Sequence, residues 1–91
     1  MRSMLYPADG APREIKPAGG KFSLEEVQAY VGGYIELVCR FSDGSCLFAN
    51  EDGQRLGLAL NHRATELYRT RIASADVIVG PALLVAAGEI D

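Results

Sequence analysis

The sequence has one histidine and two cysteines, too few to ligate zinc from one chain without carboxylates, and none sits at a ligand-like spacing. Cys39 and Cys46 lie too far apart for a Cys-x-x-Cys redox pair, so they read as buried apolar thiols. Ten glycines are present, yet they form neither a dinucleotide fingerprint nor a P-loop. Long apolar runs are missing as well. The richest, 77–87, is broken by Gly80 and Pro81 and is too short to span a bilayer. Residues 1–20 hold Asp9, Arg13, Glu14 and three prolines where a secretory signal needs an apolar stretch. These absences predict a cytoplasmic protein with no cofactor, no metal and no membrane partner.

What is there fits one folded domain over 1–91. The 48% apolar and 23% charged fractions are ordinary for a globular chain of this size. A net charge of −3 is too mild for a nucleic-acid mimic and argues weakly against general DNA binding. Charge is unevenly spread: Arg55, Arg63, Arg69 and Arg71 stand against Glu66 alone, giving that segment +3.

The periodicity predicts an α+β fold, a mostly antiparallel sheet with two helices packed on one face. Short strands at 2–6 and 13–16 flank the turn around Asp9-Gly10. Ser23-Leu24-Glu25-Glu26 is a capping box, with Leu24, Val27 and Val31 on one face, predicting a helix over 24–31 stopped by Gly32-Gly33. A hairpin follows. Pairing Phe41 with Cys46 across a two-residue Asp43-Gly44 turn collects Ile35, Leu37, Cys39, Phe41, Cys46 and Phe48 on one apolar face. That register places both cysteines in the core, diagonal to one another. Leu56, Leu58 and Leu60 alternate as a short strand or extended packed loop. Asn61 is an N-cap for a helix from His62 to about Arg69, with Ala64 and Leu67 inward. Runs 76–80 and 82–86 read as one bent strand or two short ones around Pro81.

The chemistry these residues offer is sparse. His62 with either cysteine lacks an orienting partner, so no catalytic residue is assigned and no enzyme activity is expected. Helix capping accounts for Glu25 and Glu26, and turn composition for Glu51 and Asp52. Candidate binding residues are Arg55, Arg63, Arg69 and Arg71 for an acidic partner, and Tyr34, Glu36 and Arg40 on the hairpin's outer face.

Val31-Gly32-Gly33-Tyr34-Ile35-Glu36, Asn50-Glu51-Asp52-Gly53, Leu56-Gly57-Leu58, Asn61 and Asp76-Val77-Ile78-Val79-Gly80 together resemble the small Domain of Unknown Function 3846 family over about 22–85. The resemblance implies a setting in phages, plasmids and bacterial genomes among mobile-element genes, and supplies no catalytic residues. The expectation is a small non-enzymatic accessory protein of a phage or mobile element acting by protein–protein interaction. Counter-defence of the anti-CRISPR kind is one concrete form. Its partner is a host or phage protein, or a second copy as a homodimer. Nucleic-acid binding through 55–71 is the alternative.

Overall fold

Local signals set the first helix. In the computed structural model, which describes residues 2–72 and 76–90, α1 spans Leu24–Val31. The Ser23 hydroxyl accepts from the Glu26 N–H at 3.1 Å and the Glu26 carboxylate accepts from the Ser23 N–H at 3.0 Å, completing the capping box. Gly32 ends the helix in the left-handed conformation, its N–H donating to the Gln28 carbonyl. Burying Val27 and Val31 contributes about 1.5–3 kcal/mol each, more than a short helix gains from propensity.

Five strands form one antiparallel sheet: β1 (Ser3–Tyr6), β2 (Arg13–Ile15), β3 (Ile35–Arg40), β4 (Cys46–Asn50) and β5 (Ala82–Val85). Their order is β2-β1-β5-β4-β3, so the last strand in sequence is the central one. Each of its residues is buried. Among the described residues the two sequential hairpins, β1–β2 and β3–β4, are joined in the strand ladder only through β5. The opening hairpin thus forms as its turn chemistry predicts.

The sheet is covered on both faces, not one. Leu83 and Val85 of β5 join Leu5, Val27 and Val31 in a cluster beneath α1. Ala82 and Leu84, pointing the other way, join Leu47, Ala49 and Ala64 beneath α2 (His62–Ile72). The expected placement of both helices on one face is therefore corrected: α1 and α2 take opposite faces. A second correction concerns residues 51–57, which form consecutive turns instead of a strand; only Leu60 pairs, in an isolated bridge to Val79.

Asn61 joins the second layer. Its Oδ1 accepts from the Ala64 N–H at 3.0 Å, capping α2 as predicted. Its Nδ2 donates to the carbonyls of Tyr6 and Gly80, each at 2.8 Å. Thr65 adds a second tie, exchanging hydrogen bonds with both backbone groups of Ile78. At the other end Ser3 accepts from the Ala86 N–H and donates to Glu89, docking the 3-10 turn Ala87–Glu89 against β1.

Candidate functional site

The β3–β4 hairpin turns over three residues. The Phe41 N–H donates to Ser45 O and the Gly44 N–H to Phe41 O, with Gly44 at φ 88°, a conformation only glycine adopts cheaply. Asp43 Oδ1 accepts from both the Ser45 N–H (2.9 Å) and hydroxyl (2.6 Å). The Ser45 hydroxyl, then its N–H, hold the Asp43 carboxyl below the usual carboxylate range, with a lesser pull from Arg71.

The three-residue turn sets Arg40 opposite Cys46 and Cys39 opposite Leu47. A bulge between Leu37 and Cys39 then restores Leu37 opposite Phe48, Glu36 opposite Ala49 and Ile35 opposite Asn50. The predicted Phe41–Cys46 pairing is overturned, and the single apolar face with it. Phe48 and Ile35 pack beneath α1, while Val38, Cys39, Phe41 and Leu47 pack toward α2. The cysteines accordingly point to opposite faces: Cys46 is buried and Cys39 half-buried. Burial, then the Cys46 thiol, push the Cys39 thiol up, outweighing an opposing pull from Arg71, which makes it a poor nucleophile. His62 lies exposed in the first turn of α2.

β3 is a sheet edge. The Glu51 N–H donates to the Tyr34 carbonyl at 2.9 Å, and in an antiparallel ladder such close pairs recur at every second residue. The amide and carbonyl of Glu36 therefore face β4, and those of Ile35 and Leu37 face outward. Two large apolar side chains stand exposed along this edge, Tyr34 at 68% and Leu37 at 51%. Natural edges are usually shortened, charged or covered; here the bulge at Val38 ends the regular part, and 34–37 is left open.

A cleft adjoins β3 on each face. Toward α2 is one of about 660 Å³, lined by Glu36, Glu51, Asp52 and Asp76, by Tyr68 and Val38, and by Arg55 as its one basic lining residue. Its rim is shaped by Asn50, whose Nδ2 donates to Val31 O and whose Oδ1 accepts from the Asp52 N–H. Toward α1 is an apolar cleft of about 280 Å³, lined by Phe22, Leu24, Val27, Ile35, Phe48 and Ile90.

The structure brings some of the predicted residues together. Glu36 and Arg55 share the acidic cleft, where Arg55 pairs with Asp52 at 3.4 Å. Arg71 sits at the other end of α2, its guanidinium 4.8 Å from the Phe41 ring centroid and 3.9 Å from Asp43. Arg63 and Arg69 are exposed on α2, Tyr34 and Arg40 on the edge hairpin. Arg40 lies opposite Cys46, whereas Glu36 lies opposite Ala49 on the other face, so the bulge separates two residues expected on one face. Sequence reasoning missed the acidic cleft, because Glu36, Glu51 and Asp76 converge only through the fold.

Among the described residues no group of three or more His, Cys, Asp or Glu side chains is placed to hold a metal ion. No helix among them is long and apolar enough to cross a membrane. The molecule is an α+β domain whose most distinctive surface is an open sheet edge between two clefts. It belongs to the family described as Domain of unknown function (DUF3846), whose model matches residues 1–91. Neither a curated protein nor a solved structure matches it.

Proposed function

We propose that this chain is a non-enzymatic accessory protein that acts by binding another protein. The observation that carries this reading is the pair of large exposed apolar side chains, Leu37 on the open edge strand β3 and Tyr34 just before it. Apolar area left in water on a sheet edge is prone to pairing with another chain and marks an interaction surface. The family resemblance supports a phage or mobile-element setting. Counter-defence, by occluding a host effector in the anti-CRISPR manner, is a concrete form of such binding. Nucleic-acid contact through 55–71 is less well supported, because Arg55 and Arg71 already stand near carboxylates.

The test is affinity capture of the tagged chain from several bacterial hosts, read by quantitative mass spectrometry. One protein is expected at near-stoichiometric yield, lost when Tyr34→Asp and Leu37→Asp are combined in a variant that keeps its thermal melt. Recovery of no protein in any host would overturn the reading.

A further inference from the structure

Resting on the protein-binding reading, the geometry points to strand addition at β3: the partner contributes an extended segment with alternating apolar and basic residues, which becomes a sixth strand. Three features converge on residues 35–37. The outward backbone groups of Ile35 and Leu37 supply the hydrogen bonds of an antiparallel or parallel ladder. A residue paired with either lies on their face of the sheet, beside the apolar cleft that Ile35 and Phe48 line. The residue between lies on the opposite face beside Glu36, where the acidic cleft begins. One face of the added strand thus requires apolar side chains and the other requires Lys or Arg.

Charge decides between this occupant and a second copy of the chain. The two-fold antiparallel register that uses both open positions, Ile35 with Leu37 of the other copy, sets Glu36 directly against its own equivalent. Like charges in that position are destabilising. Shifting the register toward the turn runs into the bulge after Leu37, which breaks the ladder. A basic residue opposite Glu36 meets neither obstacle and gains from Glu51 nearby in the same cleft.

The probe is a capped nine-residue peptide of alternating Val and Lys, compared with its Val and Glu counterpart, with binding followed by fluorescence anisotropy and amide exchange by NMR. The Val-Lys peptide is expected to bind the tighter of the two and to slow exchange at Ile35 and Leu37. Glu36→Lys is expected to weaken it about fivefold, the size of a cross-strand charge reversal. Leu37→Pro removes an outward N–H without touching the β4 ladder and is expected to weaken both peptides by about tenfold. Equal binding of the two peptides, or unchanged exchange at Ile35 and Leu37, overturns strand addition. A chain that captures a host protein yet shows either of those results loses only the strand-addition inference. A chain that binds the Val-Lys peptide at β3 but captures no protein from any host loses the wider reading instead.

Discussion

Asn61 is the side chain whose removal tests the packing argument most sharply. Asn61→Ala deletes an N-cap, worth about 1 kcal/mol. It also strips a partner from two carbonyls, Tyr6 O and Gly80 O, at about 1 kcal/mol each. The expected loss is about 3 kcal/mol, a large share of the roughly 5–15 kcal/mol that holds a domain folded. In urea, with a slope of about 1–3 kcal/mol/M, the midpoint should fall by about 1–3 M. Asn61→Asp separates the two contributions. Aspartate caps helices as well as asparagine, but here its second oxygen would face two carbonyls at donor distance. It should therefore be less stable than the alanine variant at neutral pH. Burial raises the folded pKa of the introduced carboxyl above its unfolded value, so its deficit should shrink as pH falls through that raised value. Equilibrium denaturation by circular dichroism at several pH values reads all of this. An aspartate variant as stable as the parent would show that capping alone matters and refute the three-way tie.

Two further outcomes concern single turn residues. Gly80 adopts φ 76° and an added Cβ would meet Leu58 Cδ1 at 2.6 Å, so Gly80→Ala should cost about 2–4 kcal/mol, strain plus overpacking. Gly57, at φ 70° with nothing within 4 Å of an added Cβ, should lose only the backbone part, about 1–2 kcal/mol; equal losses would discount the Leu58 contact. Asp43 should titrate below the ordinary aspartate range by NMR, and Ser45→Ala should raise it. Its folded pKa is depressed, so the stability it lends is present above the ordinary carboxylate range and is lost as pH falls through the folded value. A titration unmoved by Ser45→Ala would shift the cause to the retained backbone N–H at position 45 and to Arg71.

Elements written in consecutive residues were legible. The capping box at Ser23, the stop at Gly32 and the cap at Asn61 all depend on groups within four positions of one another. The strand register was not, because its decisive feature is a compensation: an odd turn at 42–44 is offset by a bulge at Val38. Parity arguments also need one polar face to discriminate, and Cys46-Leu47-Phe48-Ala49 is apolar at every position. That continuous run was itself the overlooked signal. Strands buried on both sides read as unbroken apolar sequence, so β4 and β5 already implied a helix on each face. The acidic cleft had no such local trace. Glu51 and Asp52 look like turn residues and are turn residues; what makes them a site is Glu36 arriving from β3 and Asp76 from beyond α2.

The central place of β5 bears on how the protein is made. Before Ala82–Val85 is synthesised, the nascent chain can form two hairpins, and nothing in the ladder joins them. Their inner edges, β1 and β4, remain exposed until that segment emerges and inserts between them. Such late closure of distant contacts slows folding and leaves apolar edges open to wrong partners. The interval between formation of the two hairpins and insertion of Ala82–Val85 is therefore when this chain is most exposed to aggregation or to capture by a chaperone.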